Sequence, residues 1–510
     1  MSVPINRRGF VKGSLAAATA AGLADFGFLN TLPALAADEK ATPKTVRLSP
    51  DIEPLVRLIE DTDRAKLIEA AAAQIRDGVS YQQLLSAVLL AGVRGIKPRP
   101  VGFQFHAVLV VNSAHLASLA ANDKDRWLPL FWALDNFKAS QATNKEKNAG
   151  WMMSPVEEGK LAPESEARQR FIEAMDNWDE EGVDRAAIPL VRTSSASEVY
   201  ELFWRYGARD FRDIGHKAIY SANSWRTLQT IGWRHAEPVV RSLAFAILEH
   251  SGGNPAKGDD VADRPWRENI KRAAEIPANW RAGKAAPGAT ADFLKVLRTA
   301  DESDACAQAV ELLKKGISPD SLWDGLFLMA GELLMRQPGI VGIHCVTSTN
   351  ALHYAYQTTA NDETRRMMLL QCAAFLTLFR KNMSGRGQLP DLRLDALEKT
   401  DPKKDTAEAV EEIFSDLKTD MKSAARKALA LVSDHPERAE PLMATARRLL
   451  FSKGRDSHDY KFSSAALEDY YAVAPRYAPY YLASSMFNLK GTGHPDNDLM
   501  KRTRAALAKA

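Results

Sequence analysis

Apolar positions recur at three- and four-residue spacing over most of this chain, the period of an amphipathic helix. Such segments run near 52–77, 80–95, 104–121, 124–140, 165–178, 197–206, 213–229, 234–250 and 262–275. They continue near 289–298, 302–315, 319–336, 342–358, 362–380, 403–433, 435–452, 460–472 and 478–489. Strand-like alternation is scarce. Ser80 before Tyr81, Ser318-Pro319-Asp320 and Asp401-Pro402 read as helix starts. Gly78, Gly95, Gly316 and Gly339 read as stops. The pattern predicts an all-α fold.

Polar, glycine- and proline-rich stretches divide the pattern. Residues 37–50 form a polar lead-in, and residues 384–402 mix Gly, Pro and charge. Residues 251–262 and 276–290 separate a first half from a second. The expected layout is an N-terminal helical half over 37–250, a linker or insertion over 251–290, a second half over 291–383 and a C-terminal helical segment over 384–510. The two halves are expected to meet in one large helical assembly.

That expectation rests on a repeated unit. Gly78-Val79-Ser80, Leu84, Leu90, Pro100, His106, Val108, Asn112 and His115 align without a gap on Gly316-Ile317-Ser318, Leu322, Leu328, Pro338, His344, Val346, Asn350 and His353. Both copies carry H-x5-N-x2-H. One inward-facing imidazole per unit, converging in a helical core, suggests a metal. On a regular helix nine residues turn half a circle, so His115 faces away from His106, and His353 away from His344. Asn112 and Asn350 also lie off the ligand face.

Two further segments carry histidine at the head of an apolar helix. Gly215-His216 opens one that includes Tyr220 and Asn223, followed by His235, Glu237 and Pro238. His235 and Glu237 are candidates for a substrate pocket, although Glu237 before Pro238 also suits a helix N-terminus. Near the C-terminus, Asp456-Ser457-His458-Asp459-Tyr460-Lys461 puts His458 and Lys461 on one helix face. A lysine ammonium has no lone pair for a metal. Burial beside a cation lowers its pKa, and the neutral amine can then take up carbon dioxide to form an oxygen-donor carbamate. A snorkelling surface lysine is the plainer alternative.

These segments, taken in order, resemble the questin oxidase-like family: a His heading an apolar helix, G-H-x-x-I mid-chain, Ile343-His344-Cys345-Val346-Thr347, and a terminal H-x-x-K from His458 to Lys461. The resemblance spans roughly 50–475. It implies oxidation of polycyclic aromatic, anthraquinone-type substrates by a mononuclear non-haem iron held by four histidines and a carboxylated lysine. Carried over, the ligands are His106, His216, His344 and His458, with Lys461 as the carbamate. The chain departs from the family where the mid-chain segment often has a second His; here that position is Tyr220, which leaves His216 as the ligand open to question. The export signal and the 251–290 insertion also separate it from the pattern, so substrate and electron source need not match.

The N-terminus reads as that export signal. Asn6-Arg7-Arg8-Gly9-Phe10 is a twin-arginine pattern, an Ala-rich apolar stretch follows, and Ala34-Leu35-Ala36 is a small-x-small cleavage site. Residues 1–36 are therefore expected to engage the Tat machinery and direct a folded protein to the periplasm, with no stable membrane insertion after cleavage. The apolar stretch is interrupted by Asp25 and is short for a span, which wants roughly 20 apolar residues. The whole-chain net charge of +3 gives no electrostatic footprint for nucleic acid. Cys306, Cys345 and Cys372 form no disulfide framework or C-x2-C pair and read as small buried residues.

No G-x-S-x-G elbow, P-loop, G-x-G-x-x-G, H-E-x-x-H or C-x2-C-H occurs. The expected function is an exported non-haem iron oxidoreductase using dioxygen on a small organic, aromatic substrate. Tyr470 and its neighbouring tyrosines stand as pocket candidates beside Tyr220. Two other readings fit the same residues: a zinc-dependent hydrolase, favoured by three histidines plus water, and a non-catalytic helical-repeat scaffold whose histidines bond backbone carbonyls.

Overall fold

A computed structural model describes residues 44–509. The expected leader over 1–36 lies outside them. The described chain is all-α: 23 α-helices and short 3-10 turns, with a lone β-bridge between Lys284 and Ile317 as its extended pairing. None of the described helices is long and apolar enough to cross a membrane.

Both copies of the repeated unit fold alike at their starts. Ser80 caps the helix Tyr81–Gly95 in a capping box with Gln83, and the Ser318 hydroxyl accepts from Asp320 N at the head of Pro319–Arg336. Both helices are buried around nearly their whole circumference, as expected of elements at the centre of a large protein. The chain then turns at a glycine of almost identical conformation, Gly102 (φ 133°) or Gly339 (φ 135°), and enters the histidine helix.

The copies diverge there. Ile340–Thr358 is one continuous helix. Its counterpart is a 3-10 turn (Phe103–Phe105), a short helix His106–Leu109 and a second helix Val111–Leu119, joined at Val110. The run Val108, Val110, Val111 crowds χ1 against the preceding turn, which weakens a continuous helix.

Ile340–Thr358 is the hub. It packs against Pro319–Arg336, Asp362–Ser384, His216–Ile231 and Ser457–Asp469. Val111–Leu119 joins the last two. These histidine helices run in the same direction: their N-terminal ends gather at the imidazoles, and Asn112, Asn223, Asn350 and Ser464 gather further along.

Elsewhere the helices follow the hydrophobic pattern with instructive exceptions. The stretch 403–433 is two helices, Thr406–Asp416 and Met421–Ser433, because Asp420 caps the second by accepting from Ser423 N at 2.9 Å. Glu180–Thr193 is a helix in spite of Gly182 and Pro189. Asp179 caps it, and burial of Val183, Ala186, Ile188 and Leu190 outweighs the two breakers. Residues 251–290 contain the helix Arg264–Glu275, packed on Asp362–Ser384, with buried Asn269 donating to Gln371 Oε1 at 2.9 Å.

Candidate metal centre

Three helix starts place the histidines. His106 follows Gly102 and Phe103, both at positive φ. His216 follows Asp213, Ile214 and Gly215, three consecutive left-handed residues. Gly215 is required there, because a Cβ would lie 2.1 Å from Ser348 Oγ on the hub helix. His344 sits one turn into Ile340–Thr358. The loop before His216 is held by a buried ion pair: Lys217 Nζ donates to both Asp210 oxygens at 3.0 Å and to Glu249 O at 2.7 Å. Both side chains are fully buried.

The imidazoles of His106, His216 and His344 converge, all buried. Each Nδ1 faces a backbone carbonyl: Phe103 O at 2.8 Å, Asp213 O at 2.6 Å and Ile340 O at 2.6 Å. A carbonyl only accepts, so each Nδ1 carries the proton and donates it. Burial, reinforced by Lys461 and the neighbouring rings, holds all three histidines well below their usual pKa, so the rings are neutral.

A neutral ring has one proton, already placed on Nδ1. The three Nε2 atoms therefore present bare lone pairs to one another, at 3.0 Å between His106 and His216 and 2.9 Å between His216 and His344. No proton is left to bridge both contacts. Lys461 Nζ, 3.5 Å from His216 Nε2, can supply one donor. Mutual repulsion of lone pairs is relieved by a cation among them, and carbonyl-fixed imidazoles with free Nε2 atoms are how proteins prepare metal ligands. The arrangement suits a metal that favours imidazole, such as iron, zinc, copper or nickel.

His458 stands at the edge of this group. Its ring centroid lies 4.5 Å from that of His106 and 5.4 Å from that of His344, but its ligand atoms fall outside the tight three-histidine set. Its side chain keeps 20% exposure, and its Nδ1 is 3.5 Å from Asp456 Oδ1. Asp456, bonded by His458, is held down to about 2. Lys461, one turn on, is fully inside, and burial lowers its pKa to about 7.

The second histidines of the repeat turn away, as their nine-residue spacing requires. His115 Nδ1 faces Tyr81 OH at 3.2 Å and its Nε2 faces Thr230 Oγ1 at 3.3 Å. His353 lies among Trp323, Phe327 and Tyr356. The remaining candidates are apart from the three converging rings. His235 Nε2 accepts from Arg234 at 3.2 Å. Glu237 is half-exposed and paired with Arg192 at 3.0 Å, in the first turn of Ala236–Ile247. Tyr220 is core: its hydroxyl donates to Ser242 Oγ at 2.9 Å and its ring meets Phe105 edge-on. Tyr470 is half-buried against Tyr471. The three cysteines are free and buried.

The periodicity did not disclose Gly102. A Cβ there would lie 3.4 Å from His216 Cε1, 3.5 Å from its Nε2 and 3.7 Å from His106 Cε1. The bare backbone thus fronts the ring nitrogens. The signal available was Gly102 four residues before His106, beside Gly339 five before His344.

The fold and site define a class: an all-α protein with a buried three-histidine centre, two of whose rings come from corresponding positions of a repeated helical pattern. No family model, curated protein or solved structure matches the chain.

Proposed function

We propose that the protein is an exported, mononuclear non-haem iron oxidoreductase of the questin oxidase-like kind, using dioxygen on an organic, polycyclic aromatic substrate. The observation that carries this reading is the pair of Nε2–Nε2 separations, 3.0 and 2.9 Å, between rings whose protons are committed to carbonyls. His106, His216 and His344 would hold the iron, with His458 completing the set from the edge. Lys461, buried and close to His216, would supply an anionic carbamate. Iron, when bound, supplies one-electron chemistry with dioxygen.

The chain's own groups have definite parts in this. The carbonyls of Phe103, Asp213 and Ile340 fix ring orientation and tautomer. The absence of a side chain at Gly102 keeps a Cβ from crowding the His216 and His106 rings. Phe103 and Ile340, whose carbonyls hold His106 and His344, expose 75% and 48% of their surface. These exposed apolar side chains, on the turns that lead into two of the histidine helices, are where a flat hydrophobic molecule would dock.

A zinc-dependent hydrolase is the second reading, because three tight histidines with a fourth ring at the edge resemble a three-ligand catalytic zinc site. Elemental analysis of protein purified without chelator or metal-affinity resin separates the two. About one iron per chain supports the oxidoreductase, and about one zinc moves the function to hydrolysis. No metal, and none taken up anaerobically from ferrous salt, would leave a helical binding protein.

A further inference from the structure

The joint at Val110, which divides the first histidine helix of the repeat, is clasped by a neighbouring helix. The backbone ladder crosses the joint through Val110 itself: Val110 N donates to His106 O and Ala114 N to Val110 O, each at 2.9 Å. Leu109 is fully buried and ends the short helix, and carbonyls at a helix end need partners from elsewhere. Asn223 Nδ2 supplies one, donating to Leu109 O at 2.9 Å. Asn223 Oδ1 accepts from Asn112 Nδ2, on the far side of the joint, at 3.4 Å. One carboxamide thus spends a donor on the piece that carries His106 and its acceptor on the piece that follows.

Asn223 belongs to the helix of His216, His216–Ile231. The step from His216 to Asn223 is about two turns of a regular helix, so the carboxamide and the imidazole lie on the same side. The two segments therefore meet twice, at His106 Nε2 to His216 Nε2 (3.0 Å) and at Leu109 O to Asn223 Nδ2 (2.9 Å). The other copy of the repeat is built differently. Ile340–Thr358 runs unbroken, and Asn350, at the position of Asn112, donates to Glu468 at 2.8 Å and to Asp469 at 2.7 Å.

We propose that Asn223 is a positioning residue, whose clasp on the joint sets how far His106 stands from His216. Without it Leu109 O loses that donor inside the core, and the short helix His106–Leu109 can reseat against His216–Ile231. The clasp is a property of the metal-free chain. Its effect on metal affinity rests on the metal centre of the proposed function.

Two measurements on the purified, chelator-stripped protein test this. Cobalt(II) is the metal probe, because its visible absorption reports ligand geometry. Asn223→Leu keeps the branching of asparagine without its hydrogen bonds; it is expected to weaken cobalt binding at least about tenfold and to change the spectrum. Thr227→Val removes a 2.8 Å bond to Asn223 O on the same helix and should leave affinity and spectrum as in the wild type. Hydrogen exchange without metal reads the clasp directly. Asn223→Leu should speed exchange across residues 106–113 at least about tenfold, while residues 344–350 keep their wild-type rates.

Unchanged exchange across 106–113 would overturn the clasp. Cobalt bound by the wild type and by Asn223→Leu with one affinity and one spectrum would overturn the positioning role, as would an equal effect of Thr227→Val. Cobalt bound by neither protein would count against the metal centre and leave exchange to decide the clasp. Should Asn223→Leu not fold, Asn223→Ser, too short to reach Leu109 O, takes its place in both measurements.

Discussion

Gly102 lies against the imidazole of His216, so that a Cβ on Gly102 would stand 3.5 Å from Nε2. The glycine is held at φ 133°, a conformation that side chains resist. Gly102→Val is expected to press a branched side chain onto the ring nitrogens. Metal affinity should fall at least about tenfold, with folding stability reduced by roughly 1–2 kcal/mol from backbone strain. Chelator competition and urea melts measure the two separately. Affinity equal to the wild type would mean that this face of the rings is not where a metal sits.

The ring-facing argument makes its own forecast. His106→Ala, His216→Ala and His344→Ala should each weaken metal binding by more than about a hundredfold, beyond the usual effect of deleting a ligand's hydrogen-bond partner. His115→Ala and His353→Ala should keep the metal, since their rings bond or pack elsewhere. Equal loss in all five variants, seen by metal content per chain, would refute the assignment.

The metal-free protein should lose stability in mild acid. His106, His216 and His344 are held well below their usual pKa by burial, and burial takes His115 and His235 to about 4. The unfolded chain therefore binds more protons than the folded one below about pH 6.5, and stability falls as the pH drops. The contribution is complete above the unfolded histidine range and is lost as pH falls toward about 4 for His115 and His235. For the three central rings the loss continues below that. Each histidine steepens the slope by at most about 1.4 kcal/mol per pH unit. Urea melts of chelated protein between neutral pH and pH 5 measure it, and a flat profile would contradict the neutral-ring description.

Lys217 and Asp210 form a pair without solvent contact behind His216. Lys217→Met leaves the buried Asp210 carboxylate to the longer Arg212 Nη1 contact at 3.5 Å and should cost about 3–5 kcal/mol. The double change Lys217→Met with Asp210→Asn should recover part of that. Metal affinity in the folded fraction should fall with the single change, because Asp210 also accepts from Arg212 N at 3.0 Å and so steadies the turn that aims His216. A single variant as stable as the wild type would mean the pair is idle.

Much of the fold was legible in the spacing of apolar residues, since helices buried on one stripe write that stripe into the sequence. Glu180–Thr193 escaped it because Gly182 and Pro189 read as breakers, and only tertiary burial reveals that they are tolerated. The break at Val110 escaped it because a β-branched run inside an apolar segment still has helical spacing. Within the site, the turn geometry of the repeat separated His106 from His115 and His344 from His353. His458 was expected beside the other three; its ring lies 4.5 Å from that of His106, while its ligand atoms stay outside the tight three-histidine set. Sequence gives the helix on which a residue sits, but not how far a side chain near its first turn reaches.

The three converging histidines come from chain positions far apart, with Lys461 further on still. A cation among them would act as a cross-link closing two long loops, and its binding energy would become folding energy. It also sets an order of events during synthesis. The centre cannot form until the ribosome has released the chain past His344, so insertion of a cation would be a late step. A chain that stops short of His344 would carry His106 and His216 without the third ring.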